Sequence, residues 1–388
     1  MDFPLGPTAF FDFGGRDRRE ADRFSSGASI VHPFTPKNSQ NPFHFVYSRP
    51  RGNFHLCWVL LSAPDPENAM QDTIGLLIYN IFKWPNVLLL VPLIFYASYS
   101  ALKNQPSRSQ NKEKFFKGFA FGGHRGSPTV EPENTMASMI QAKNEGANLI
   151  EFDVSLTKDG VPVILHDDTL DRTTNKTGEI RDTLFADLKD VNANAKFPRQ
   201  SGAGAFMPIP TMDELVRWAK ENNMKMLFDV KDSDTVLADR LAALFQELDL
   251  YDSAIVCSFF PSVIYRVKRA DQKILTGLTW RRWFISYKDL DAKEPRFPGF
   301  KHYLALVADV LHVWGINTWE PSFLGADMIL TERREISQGF VNDQRASGRE
   351  VCAWTVNELD ELRWMHNQLQ IPVLTDKPFL INNVILAN

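Results

Sequence analysis

The sequence predicts an α/β protein: a closed (β/α)8 TIM barrel carrying a small β-hairpin finger, with an N-terminal membrane anchor ahead of it. Three observations lead there. From Phe119 onward, eight short β-branched or aromatic runs alternate with amphipathic helices, the pattern of parallel βα units. About 270 residues remain for them, the usual size of such a barrel. The chemically conspicuous acidic, basic and histidine residues follow those runs directly, at strand ends, where barrels place their chemistry.

Taken in chain order, the first element is an extension. Residues 1–73 are rich in Pro, Gly, Ser and Asn with scattered Phe, and neither a 3.6 nor a 2 period persists in them, which predicts disorder. The opening MDFPLG has no basic start followed by an apolar run, so a cleaved secretory signal is not expected there. Residues 74–102 read as the anchor. Their second part, 84–102, runs 19 residues without a charge, enough as a helix for roughly 30 Å of hydrocarbon. Pro85 and Pro92 suit a membrane helix better than a soluble one, and Trp84, Tyr96 and Tyr99 suit its interfaces. Residues 103–117 read as a basic linker, in which Lys103, Arg108, Lys112, Lys114 and Lys117 face only Glu113. By the positive-inside rule that flank favours a cytoplasmic barrel.

Residues 118–388 make the barrel domain. Its strands are expected at 119–123, 148–154, 226–230, 254–259, 274–279, 326–330, 351–356 and 372–375. Between them Met136, Met139 and Ile140 share a helical face before Gly146, and Thr211 with Glu214 forms a capping box ahead of Leu215 and Trp218. Leu237, Leu241, Leu244, Phe245 and Leu248 share another face, and Leu359, Leu362 and Met365 start a later one. These stripes read as core.

Composition excludes several function classes. A net charge of -4, from 43 basic and 47 acidic side chains, argues against a nucleic-acid binder. Three cysteines, Cys57, Cys257 and Cys352, have no CxxC spacing, so neither a zinc cluster nor a disulfide scaffold is expected. The GAGA at 202–205 lacks the third glycine of a dinucleotide loop, and neither a Walker loop nor HExxH occurs.

The candidate site is acidic and cationic at once. Glu151 and Asp153 stand at i and i+2, so they leave the same face of one strand; Asp229 and Lys231 repeat the arrangement on another. Three converging carboxylates repel by roughly 4 kcal/mol per pair at 4 Å and an effective dielectric near 20. A divalent cation resolves that, and an oxygen-only ligand set suits Mg²⁺ or Ca²⁺. A salt bridge to Arg or Lys is the plainer alternative for any one carboxylate. His124 and Arg125 follow the first strand, and His166 follows the tight Thr157-Lys158-Asp159-Gly160 turn, which predicts a hairpin finger holding His166 over the mouth opposite His124. Two imidazoles can then serve as acid and base, while Arg125 and Lys231 clamp an anion such as phosphate.

With these residues in place, the chain resembles the glycerophosphodiester phosphodiesterase family. GHRGSPTVEPENT, EFDVSLTKDGVPVILHDDTLDRTT, FDVKD, SF, WTVN and LTDKP occur in the family's order over about residues 119–378. The resemblance implies a metal-dependent phosphodiester hydrolase on a barrel with this finger. It implies His124 and His166 as the acid/base pair, Glu151, Asp153 and Asp229 as metal ligands, and Arg125 and Lys231 as phosphate contacts. Glu133, in PENT, is expected to support the metal site or Arg125. Many members have Glu where this chain has Asp229; the membrane-bound animal glycerophosphoinositol phosphodiesterases, which also share IVCSFFPSVIY and GLTWRRW, resemble it in having FDVK. That branch implies an N-terminal anchor with the barrel luminal or extracellular, against the basic flank, and the expectation follows the branch. Asp309 and His312 interrupt the apolar segment after residue 299, so an interfacial or capping insert is expected there.

The expected reaction is hydrolysis of a glycerophosphodiester, glycerophosphoinositol-like, to glycerol 3-phosphate and an alcohol. Water or a neighbouring glycerol hydroxyl attacks. Phe259, Trp280 and Trp354 are candidate walls for the substrate. A lysophospholipid or N-acyl-ethanolamine phosphodiester at a membrane is the second substrate expectation, and a catalytically weak membrane-tethered interaction protein is the alternative of another class.

Overall fold

The computed structural model describes residues 85–198 and 204–385, together with Gly75, Ile78 and Tyr79. The extension predicted over residues 1–73 lies outside the described residues, as does most of 74–84. Eight parallel strands close into a barrel: β1 (Phe121–Gly123), β2 (Leu149–Leu156), β4 (Lys225–Val230), β5 (Ala254–Ser258), β6 (Leu275–Trp280), β7 (Met328–Glu332), β8 (Glu350–Trp354) and β9 (Val373–Thr375). They follow the order β1-β9-β8-β7-β6-β5-β4-β2, and pairing of β1 with β2 shuts the ring. Each lies within a few residues of its predicted run. The predicted finger is β3 (Pro162–Ile164), which folds back antiparallel on the upper end of β2, with Val154 opposite Ile164.

Alternation along the strands builds two cores. Ile150, Phe152, Met226, Phe228 and Val256 face the helices and pack on Met212, Leu215, Leu241 and Phe245. The intervening residues, Leu149, Leu227, Ile255, Leu275, Met328, Cys352 and Leu374, meet inside the ring. Strands apolar on both faces are what a parallel sheet covered by helices requires. The predicted cap forms at Thr211, whose hydroxyl accepts from the Glu214 amide and opens the Met212–Glu221 helix.

Residues 103–117, expected as a linker, are built into the barrel. Ser109–Phe116 is a helix, and its fully buried Phe115 joins Leu149, Leu227 and Ile255 in the inner core, stoppering the floor. Just before it, the Ser107 amide donates to Asp327 Oδ1 at 2.8 Å. The Ser107 hydroxyl takes a 2.6 Å bond from Lys268 Nζ, itself paired with Asp327 Oδ2 at 2.8 Å and fully buried. A basic count per segment could not reveal that Phe115 has a place waiting among strand residues.

The predicted anchor is helical over Pro85–Leu102, but among the described residues no helix is long and apolar enough to cross a membrane. The segment with Asp309 and His312 forms a helix over Phe300–Thr318. Its Asp309 is turned inward, accepting from the amides of Ile285 at 2.9 Å and Ser286 at 2.8 Å. Phe300, Tyr303, Leu304, Val307, Val310, Leu311 and Trp314 are exposed on it.

Candidate active site

The mouth of the barrel collects the predicted residues. β1 runs into His124, whose amide donates to Thr375 O on β9 at 2.9 Å. The chain then reverses through Arg125 and Gly126, both at positive φ (55° and 86°). A side chain at Gly126 would collide with Ser138, so the turn that aims His124 and Arg125 needs glycine there. On β2 the inward-facing Glu151 and Asp153 flank outward-facing Phe152, and in register Asp153 lies beside Asp229 of β4. Ligand atoms of Glu151, Asp153 and Asp229 lie within 4.8 Å of one another, close enough to share one ion.

His124, Arg125, Glu151, Asp153, His166 and Asp229 line a small cavity together with Phe259, Thr279, Leu330, Trp354 and Leu374. The first set comes from β1, β2, β4 and the finger, the second from β5 to β9, so the cavity has a charged half and a neutral half. Lys231 stands beside it, with Nζ 3.0 Å from Asp153 Oδ1 and 2.5 Å from His166 O. Trp280, expected on the wall, is not there. It packs with Ile264, Leu278 and Ile316 outside the ring, because its β6 neighbour Thr279 takes the inward position and strand side chains alternate.

Burial and repulsion govern the carboxylates. Burial, with Asp153 next, pushes Glu151 up to about 8. Burial and Asp153 also push Asp229 up to about 7. Asp153 goes the other way: burial opposes its ionisation, but Lys231, His166 and Arg125 hold it well below the usual carboxylate range. The residues fit a hard cation: one Asp229 oxygen is buried without a hydrogen-bond partner, and Lys231 and Arg125 pair with Asp153 alone of the three, while Glu151 and Asp229 are pushed toward their protonated forms.

Each imidazole is oriented by a carboxylate. His124 Nδ1 donates to Asp376 Oδ1 at 2.7 Å, and Asn357 Nδ2 donates to the other Asp376 oxygen at 2.7 Å. His166 Nδ1 lies 2.5 Å from Asp167 Oδ1. Burial lowers His124, yet Glu151 and Asp376 outweigh it and leave the group above its ordinary value. Burial, Arg125 and Lys231 push His166 down to about 3. Arg125 is buried, with Nη1 2.9 Å from Glu133 Oε1 and Nε 3.3 Å from Asp153 Oδ2. Glu133 thus supports Arg125, not the acidic triad. Asn134 Nδ2 donates to Asp153 Oδ2 at 2.7 Å.

Sequence reasoning assigned no role to Asp376, Asp167, Arg172, Asn134 or Asn357. The first four lie within motifs already conspicuous, LTDKP, HDDTLDRTT and PENT, and Asn357 ends WTVN. A carboxylate one residue past a barrel strand, as Asp376 is past β9, was the available signal.

Similarity to known proteins agrees with this geometry. The chain is 34% identical over 261 residues to human glycerophosphodiester phosphodiesterase 1, covering 65% of this chain and 76% of that protein. It is 36% identical over 261 residues to the Bos taurus protein of the same name, with the same shares covered. Among solved structures, an Oleispira antarctica phosphodiesterase in complex with the product sn-glycerol-3-phosphate matches 69% of this chain and 96% of its own at 24% identity, TM-score 0.51. A glycerophosphodiester phosphodiesterase from Agrobacterium tumefaciens matches 68% of this chain and 99% of its own at 20% identity, TM-score 0.51. Residues 124–380 match the glycerophosphoryl diester phosphodiesterase family, and with the barrel, the finger and the acidic mouth all present, this chain belongs to that family of enzymes.

Proposed function

We propose that this enzyme hydrolyses a glycerophosphodiester with a polar headgroup, glycerophosphoinositol-like, to glycerol 3-phosphate and an alcohol, using His124 and His166 as acid and base. The observation that carries this reading is the cavity itself: two imidazoles, each oriented by an aspartate, open on one space with Glu151, Asp153 and Asp229.

Those three carboxylates would hold one divalent cation, Mg²⁺ or Ca²⁺, which supplies Lewis-acid polarisation of the phosphoryl group when bound. The protein's own contribution is positional. The Asp376 and Asp167 contacts fix Nδ1 of each ring and leave Nε2 to move protons. One imidazole takes the proton of the attacking water as its oxygen bonds to phosphorus; the other gives a proton to the departing alkoxide as its bond to phosphorus breaks. Arg125, locked by Glu133 and Asp153, meets the charge on phosphorus, with Lys231 beside it. A cyclic phosphate trapped in a single turnover would assign the attack to the glycerol hydroxyl instead of water.

The neutral half of the cavity favours a hydroxylated group over an acyl chain. Trp354 Nε1 and Thr279 Oγ1 are buried there with no hydrogen-bond partner, and an acyl chain would leave both so. Membrane association is supported by the Phe300–Thr318 helix: Tyr303, Leu304, Val307, Val310, Leu311 and Trp314 form an exposed face free of charge, with aromatic residues at its ends. A luminal or extracellular barrel makes exposed Asn175, in an Asn-Lys-Thr sequon, a glycan acceptor, so a glycosidase shift of the expressed chain tests the side.

The central test is a headgroup panel run with Mg²⁺, Ca²⁺ or chelator. The reading requires divalent-dependent release of glycerol 3-phosphate and its loss in His124→Ala and in His166→Ala with the far-UV spectrum unchanged. Near-normal turnover in both variants would end it. Preferred cleavage of a lysophospholipid would move the substrate to the lipid class, and inactivity on the whole panel would favour a tethered binder.

A further inference from the structure

We infer that Arg172 is a positioning residue that latches the finger onto the barrel mouth and holds the acid/base imidazole and the phosphate-facing guanidinium in fixed relation. The inference rests on the proposed role of His166. His166 stands just past β3, and Arg125 just past β1, so no backbone ladder joins the two. Side chains do. Arg172 Nε donates to Asp167 Oδ2 at 2.5 Å and Nη2 to Asp167 Oδ1 at 3.1 Å. On its other edge Nη1 donates to Glu133 Oε2 at 2.8 Å and Nη2 to Glu133 Oε1 at 2.7 Å. One planar group thus grips two carboxylates in fork geometry, which arginine allows and lysine does not.

Each carboxylate carries the contact inward. Asp167 Oδ1 is the partner of His166 Nδ1, and Glu133 Oε1 is the partner of Arg125 Nη1. The chain His166, Asp167, Arg172, Glu133, Arg125 therefore spans from the finger to the first strand end, and Arg125 continues it to Asp153 at 3.3 Å. Arg172 lies on the outside of this chain: its side chain is 48% exposed, against 9% for Asp167 and 19% for Glu133. A half-exposed residue of this kind would ordinarily add little to stability. Its geometric leverage is large, since displacing a reacting group by about 1 Å costs about a hundredfold in rate. Without the guanidinium, Asp167 and Glu133 lose their shared partner, and Asp167 is released to leave His166.

The test compares wild type, Arg172→Ala, Arg172→Lys and His166→Ala in the full chain, measuring kcat, KM, the pH profile of kcat/KM and thermal midpoint. The latch predicts kcat down about a hundredfold in Arg172→Ala, little recovery in Arg172→Lys, a displaced pH limb, and partial restoration of Arg172→Ala by added guanidinium ion, with the thermal midpoint nearly unchanged. Arg172 variants within twofold of wild type and with an unmoved pH profile, beside an inactive His166→Ala, overturn the latch alone. Turnover in His166→Ala overturns the catalytic reading beneath it. Should Arg172→Ala fail to fold, Arg172→Lys decides: full activity there also overturns the latch.

Discussion

At the scale of residues, the decisive feature is that both imidazoles are held by their Nδ1 atoms. Asp376 is itself held down by His124 and Asn357 against the opposing effect of burial. Asp376→Asn keeps the shape and removes the charge, so His124 loses both its tautomer and its electrostatic support. We expect kcat to fall about a hundredfold or more with KM little changed, and a steady-state assay that finds wild-type kcat would discard the orienting role. His166 gives a pH signature in stability. Burial leaves it neutral in the fold down to about pH 3, whereas an unfolded histidine binds its proton near 6.5. The unfolded state therefore takes up the proton first, and stability falls as pH drops from about 6.5 toward 3. Thermal midpoints across that range should decline less steeply in His166→Gln than in wild type. Parallel curves would contradict the burial argument.

At the scale of elements, the helix over Ser109–Phe116 shows how a polar-looking segment becomes structural. Its sequence, SQNKEKFF, carries two lysines and a glutamate, yet Phe115 is fully buried in the inner core. Phe115→Ala should cost about 3–5 kcal/mol in urea denaturation, the usual range for a buried aromatic. A loss under 1 kcal/mol would mean the floor is closed without it. The β2–β3 finger was legible because a tight TKDG turn between two apolar runs needs no tertiary information. The wall assignment of Trp280 was not: one residue of register on β6 decides whether Trp280 or Thr279 faces the cavity, and only the neighbouring strands set it.

At the scale of the whole molecule, the barrel forces three buried carboxylates together, a repulsion that a bound cation would relieve. Asp229→Asn removes one of the mutually repelling charges. In chelator the variant should melt above wild type, while the rise that added Mg²⁺ or Ca²⁺ gives wild type should vanish. A wild-type midpoint indifferent to both ions would count against the triad as a cation site.

The sequence by itself determined the (β/α)8 architecture, the hairpin and the residue types that line the candidate site, because periodicity, turn composition and placement at strand ends are local properties that survive without coordinates. Tertiary structure alone decided which groups act on which. Asp376 meets His124 across 252 residues of chain, and Arg172 meets Glu133 across 39. Such contacts depend on ring closure and strand register, which bring distant segments within a hydrogen-bond length, and no spacing along the chain encodes that distance.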